Sequence, residues 1–189
     1  LVIWGISICR AQLLAKVLAM KLKSIVSSLL SLVCAGFASA APLAVGANAP
    51  KLIAKDQDGK DVDLGAKFAS GLTLVYFYPK ADTPGCTKQA CNLRDAFEDV
   101  KAAGIEVIGV SGDKPAQQKA FATKYKLPFT LIADTDTKVM KAFGVPARVR
   151  KFAARQSFLV KDGKVIWVDL KATPTSQSQD AIAAAKAAK

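Results

Sequence analysis

The sequence predicts an α/β sandwich, a mixed central β-sheet flanked by helices. Three observations carry that expectation. The runs GLTLVYFYP (71–79), GIEVIGVSG (104–112) and LPFTLIAD (127–134) are continuous, apolar and rich in β-branched and aromatic residues, the pattern of strands buried on both faces. Stretches of helical period separate them, so the first strands alternate with helices. The run QSFLVKDGKVIWVDL (156–170) then reads as two strands joined at Asp162-Gly163, a hairpin signal.

Taken in order, residues 1–40 are set apart as a leader. Residues 1–19 lack an initial Met and read as upstream sequence, with Met20 as the start. From Met20, the chain has Lys21 and Lys23, an apolar run from Ser24 to Phe37, and the end Ala38-Ser39-Ala40. That layout is a secretory signal peptide over residues 20–40, and its run is shorter than the roughly 20 residues a bilayer span needs. It implies a periplasmic or otherwise exported domain over residues 41–189, with no stable membrane insertion once the leader is removed. Cys9 and Cys34 leave with the leader, so Cys86 and Cys91 remain.

Removing Arg10, Lys16, Lys21 and Lys23 from the 27 basic residues leaves 23 against 15 acidic ones, a net charge of +8. The lysines are scattered, so the expectation is a solvated basic surface and no nucleic-acid partner. The chain has no histidine. This excludes histidine acid–base catalysis, most zinc sites and haem held through histidine, and no cofactor or metal is expected.

Residues 41–50 read as a small-residue linker. KLIAKDQDGKDVDL (51–64) reads as a hairpin about Asp58-Gly59. Asp56, Asp58, Asp61 and Asp63 do not fit a calcium loop: counted from Asp56, Gly59 stands where no glycine is needed and Lys67 replaces the closing glutamate. Residues 115–126 form a helix opened by Pro115, residues 136–144 a short helix stopped by Gly144, and residues 175–189 an alanine-rich closing helix. The outline is thioredoxin-like, although periodicity leaves the strand order open.

The chemistry concentrates in YFYPKADTPGCTKQACNLRDAF (76–97). Pro79 ends a buried strand, Lys80 to Gly85 form a loop, and Cys86 opens a helix. A thiol there faces unpaired N–H groups and the positive end of the helix dipole, and both favour thiolate over thiol. Gly85 leaves room for a small molecule at the sulfur, and Thr83 can aim a hydroxyl at the same space. Cys91 lies five residues on. In an ideal helix the two Cα atoms are roughly 8.7 Å apart, beyond the limit of about 6.8 Å for a disulfide. The pair therefore reads as a two-state device, helical when reduced and locally unwound when bridged. A nucleophilic thiolate with a second thiol waiting suits attack on a peroxide O–O bond, followed by condensation of the sulfenic acid. The competing readings are an exported thiol–disulfide oxidoreductase, which would normally carry CxxC, and a non-catalytic basic envelope protein. Copper or haem delivery fits poorly without histidine or a CxxxC pair.

The segment PKADTPGCTKQAC resembles the active site of the peroxiredoxins, whose pattern P-x-x-x-T-x-x-C is met by Pro79, Thr83 and Cys86. The TPGCT-x-x-AC form is similar to the Q subgroup, also called bacterioferritin comigratory protein. The likeness extends through most of residues 46–170. It implies a thioredoxin-like peroxiredoxin sandwich and an antioxidant peroxidase acting on hydrogen peroxide and organic hydroperoxides. By the resemblance, Cys86 is the peroxidatic and Cys91 the intrachain resolving cysteine. Thr83 and the Cys86 N–H orient the peroxide, Pro79 shields the pocket, and Arg155 stabilises the thiolate and the transition state. Arg148 and Arg150 are weaker matches to that arginine. Gln89 is a supporting group at most. A thioredoxin-like or other dithiol reductant and a monomeric state are further implications.

Overall fold

The computed structural model describes residues 41–188. The leader expected over residues 1–40 lies outside the described residues. Within them the central sheet has five strands: β3 (Leu72–Phe77), β4 (Ile105–Ser111), β5 (Thr130–Ala133), β8 (Gln156–Lys161) and β9 (Lys164–Asp169). Their spatial order is β5-β4-β3-β8-β9. The pairs β3–β4 and β4–β5 are parallel, whereas β3–β8 and β8–β9 are antiparallel. The sheet is mixed and thioredoxin-like, as the alternation followed by a hairpin predicts. Two small hairpins accompany it: β1 (Ile53–Lys55) with β2 (Asp61–Asp63), and β6 (Ala147–Arg148) with β7 (Phe152–Ala153).

Period-two alternation sorts the sheet's side chains onto two cores. Val75, Phe77, Ile108, Val110, Ile132, Phe158 and Val160 face one side. That side is covered by α1 (Leu64–Phe68) and α5 (Lys138–Phe143) through Leu64, Phe68, Val139, Met140 and Phe143. Leu74, Tyr76, Tyr78, Ile105, Val107, Leu131 and Leu159 face the other side. There they meet α2 (Pro84–Asp95), α3 (Phe97–Ala102), α4 (Pro115–Tyr125) and α6 (Gln177–Ala187). The crossovers β3–β4 and β4–β5 step in the same direction along the sheet. Right-handed connections therefore lay α2, α3 and α4 on one face.

The turn residues do what their chemistry predicts. Asp162 and Gly163 both take positive φ (47° and 79°), as a tight two-residue hairpin requires. Gly144 ends α5 in the left-handed region at φ 67°. A Cβ there would also lie 2.0 Å from the Ala41 carbonyl oxygen.

Two expectations need correction. Residues 41–50 are not a free linker: Gly46 and Ala49 donate to Val165 and Gly163, Val165 donates to Ala47, and Leu43 donates to Phe143. Their small side chains let the backbone lie along the outer edge at β9. The site helix also opens two residues earlier than expected, at Pro84, because proline is well suited to a helix's first turn. Among the described residues no helix is long and apolar enough to cross a membrane.

Candidate active site

The end of β3 is where the chain order of the sheet reverses, with β4 on one side and β8 on the other. In open α/β sheets such a switch point leaves a crevice beyond the strand's carboxyl end. The site residues gather there. Tyr78 extends the pairing by one N–H to Val110 at 3.1 Å, and half-buried Pro79 turns the chain out. The loop is anchored from beneath: Asp113 Oδ2 accepts from the Ala81 N–H and from Ser111 Oγ, each at 2.7 Å. Buried Gln118 completes this support, accepting from the Tyr78 hydroxyl and donating to Ser111 Oγ and the Ile132 carbonyl at 2.9 Å each. Burial pushes the phenols of Tyr76 and Tyr78 well above their ordinary range, so both stay neutral beside Cys86.

Thr83 is the N-cap of α2, yet its hydroxyl makes no capping bond and donates instead to the Lys80 carbonyl at 3.0 Å. Pro84 has no N–H, and the Thr87 N–H already donates to the Thr83 carbonyl at 2.8 Å. The N–H groups of Gly85 and Cys86 are thus left without partners in the helix, at its positive end and beside the sulfur.

Arg155 reaches this helix end from the opposite side of the chain. Phe77 pairs with Gln156, which sets Arg155 just past the end of β3. Alternation along β8 puts Ser157 and Leu159 on the α2 face, and Arg155 in phase with them. Its Nη2 donates to Cys86 Sγ at 3.4 Å, and its Nη1 donates to Gln89 Oε1. Cys86 is only 2% exposed. Gly85 does not leave open space: a Cβ there would lie 3.2 Å from Arg155 Nη2. The glycine makes room for the arginine.

Cys86 and Cys91 are both free thiols on the unbroken α2, with Cys91 half-buried. Cys91 faces a separate cup lined by Asp82, Pro84, Thr87, Lys88, Lys124 and Tyr125, with a volume of about 420 Å³. The geometry therefore joins Cys86 and Arg155 directly, holds Thr83 and Pro79 in the adjoining loop, and keeps Cys91 on another surface of the helix.

Such a cation on a buried sulfur at a helix N-terminus, with a second thiol on the same helix, can be compared with known proteins. The sequence profile of the AhpC/TSA family matches residues 45–168. The chain belongs to the AhpC/TSA family. Among its relatives, the chloroplastic peroxiredoxin Q of Gentiana triflora is 48% identical over 127 residues, covering 66% of this chain and 58% of that protein. That of Populus jackii is 56% identical over 98 residues, covering 52% and 46%. The chain spans about half the length of these two curated relatives. Among solved AhpC/TSA-like structures, peroxiredoxin Q of Xanthomonas campestris is 28% identical with a TM-score of 0.68, covering 78% of this chain and 97% of that one. Peroxidoxin BcpB of Mycobacterium tuberculosis is 28% identical with a TM-score of 0.71, covering 77% and 97%. The likeness to the Q subgroup suggested by TPGCT-x-x-AC is met by these relatives.

Gln89 lies closer to the AhpC/TSA site than its residue type suggests. One helical turn past Cys86, it shares that residue's face, a signal present in the i, i+3 spacing. Asp113, Gln118, Ser157 and Gln177 carry no comparable signal, because they join the site through strands and helices distant in sequence.

Proposed function

We propose that this chain is a thiol-dependent peroxidase that reduces hydrogen peroxide and organic hydroperoxides. The observation that carries the reading is the Arg155 guanidinium on Cys86 Sγ at 3.4 Å, at a helix end with two free N–H donors. A fixed cation and oriented N–H groups stabilise charge as it spreads from sulfur onto peroxide oxygen. The Cys86 thiolate attacks one oxygen, an S–O bond forms, and the O–O bond breaks. The departing oxygen takes a proton and leaves as water or an alcohol. Cys91 sulfur then attacks the Cys86 sulfenic acid, forming the disulfide and releasing water. A dithiol reductant, thioredoxin-like in the proposal, restores both thiols by exchange.

The resolving step requires α2 to unwind between residues 86 and 91, for the helical separation exceeds disulfide reach. The alkyl peroxide reduction activity of the Xanthomonas campestris bacterioferritin comigratory protein, 27% identical to this chain with a TM-score of 0.68, supports the substrate class by analogy.

Stopped-flow mixing of the reduced protein with hydrogen peroxide tests the proposal. We expect rapid loss of one thiol that disappears in Cys86→Ser; a rate no faster than free cysteine overturns it. Cys91→Ser should consume one equivalent and accumulate a sulfenic acid by mass spectrometry, and its absence would remove Cys91 as resolver. Export and a monomeric state complete the reading, although the curated relatives are chloroplastic. A mature protein beginning at Ala41 supports export, and one retaining residues 20–40 contradicts it.

A further inference from the structure

The polar contacts of Arg155 continue into the protein through two buried side-chain amides to a buried hydroxyl. Arg155 Nη1 donates to Gln89 Oε1. Gln89 Nε2 donates to Gln177 Oε1 at 2.6 Å. Gln177 Nε2 donates in turn to Ser157 Oγ at 2.9 Å, and Ser157 Oγ donates back to the same Gln177 Oε1 at 3.1 Å. Gln89, Gln177 and Ser157 are 0%, 1% and 0% exposed, so water does not compete for these groups.

The order follows from donor and acceptor inventory. A guanidinium carries donors only, so Gln89 must turn its oxygen toward Arg155. Its amide nitrogen then needs an acceptor on the far side, and the Gln177 oxygen is that acceptor. Turning either amide over would set donor against donor in a buried place. Among the described residues no carboxylate forms an ion pair with Arg155. Amides orient this cation without neutralising it, and so leave its charge for the sulfur and the peroxide.

We propose that Gln177, at the start of α6 and outside contact with Cys86, is a positioning residue for peroxide reduction: it fixes the amide of Gln89, which in turn holds Arg155 on the Cys86 sulfur. The inference rests on the peroxidase reading above. It also assigns a task to the end of α2 nearest α6. Asn92 donates to the Thr175 carbonyl at 3.0 Å and accepts from the Ser178 N–H at 2.9 Å, which locks the start of α6 against α2. Gln89 lies between the two cysteines, so disulfide formation must carry it out of the helix and release Arg155.

The test compares two reactions of Cys86 in the reduced protein. Peroxide reduction needs Arg155 at the reacting oxygens, whereas alkylation by iodoacetamide has no peroxide to orient. Gln177→Met keeps the length of the side chain and removes its polar bonds to Gln89 and Ser157. We expect its peroxide rate constant to fall about 10- to 100-fold, the scale of a small misplacement in a site. Its alkylation rate should change by no more than about 3-fold, leaving the ratio of the two rates displaced. Gln177→Glu keeps an acceptor for Gln89 Nε2 and should recover most of the lost peroxide rate. Equal loss in both reactions, no recovery in Gln177→Glu, or an unaltered peroxide rate in Gln177→Met overturns the assignment. Should Gln177→Met fail to fold by circular dichroism, Ser157→Ala removes the hydroxyl that both accepts from and donates to Gln177; a smaller displacement of the same ratio supports the chain, and none overturns it. A wild-type protein inert to peroxide would instead defeat the peroxidase reading, an outcome distinct from all of these.

Discussion

On one face of the sheet, Phe77, Phe143 and Phe158 meet ring to ring at 5.1 to 5.8 Å, with Phe68 against Phe143 at 5.9 Å. On the other face, equally deep, lie Cys86, Gln89, Ser157 and Gln177. The same strands build both, through alternate side chains. The hydrophobic term that packs these rings is non-directional and grows with the area removed from water, although ring pairs favour edge-on geometries such as those of Phe68–Phe143 and Phe77–Phe158. The polar face depends on bonds that each need one partner in one orientation, and a buried amide without a partner is costly. The aromatic cluster can therefore serve as a fixed base, whereas the polar cluster on the other face holds discrete bonds that the proposed unwinding of α2 would break.

The largest effect should come from the apolar face. Phe143 touches Phe68, Phe77 and Phe158 and is fully buried, so Phe143→Ala leaves a cavity among three rings. We expect a loss of about 3–5 kcal/mol in denaturant unfolding. The fraction that remains folded should reduce peroxide at the wild-type rate. A large fall in that rate without loss of stability would break the distinction between the faces.

Arg155→Met sharpens the distinction from the other side. It keeps a long apolar stem but removes the donors to Cys86 Sγ and Gln89 Oε1. The peroxide rate constant should fall about 10²- to 10³-fold, the usual cost of losing a preorganised donor at developing charge. The melting temperature should move by only a few degrees for a protein of this size. A loss below about 10-fold would show that the helix-end N–H groups suffice without the cation.

How much of this was legible in the residues differs between the faces. The run LTLVYF announces a buried strand, and its alternation even foretells which side chains share a side. The grouping of Cys86, Thr83 and Pro79 was legible because loop, cap and thiol lie within eight residues. Arg155 required the family likeness, since nothing local says that it returns to the end of β3; the register of β3 with β8 brings it there. Gln177 was out of reach altogether. It stands 88 residues beyond Gln89 in sequence, and an isolated glutamine at a helix start reads as surface. The hairpin at Asp58-Gly59 was plain from its turn chemistry. The packing of residues 41–50 was not, because small residues carry little periodic signal.

The smallest predicted effect concerns the loop that leads into the site helix. Asp82 holds a left-handed backbone at φ 56°, just before the N-cap of α2. Its carboxylate accepts from Lys124 Nζ at 2.8 and 2.9 Å and from the Tyr125 hydroxyl at 2.6 Å, tying the loop to the end of α4. The Lys124 and Tyr125 bonds hold its pKa below the ordinary value of 3.8. A depressed carboxylate stabilises the fold at neutral pH, and that contribution fades as pH falls through the folded-state value, below 3.8. Asp82→Asn tolerates the same positive φ but lacks the charge. It should therefore melt slightly below the wild type at pH 7, with the two curves converging in acid. A gap that persists after the wild-type carboxyl is protonated would mean that the loop is held by its backbone shape and not by the ion pair. The site helix would then need to unwind without help from this contact.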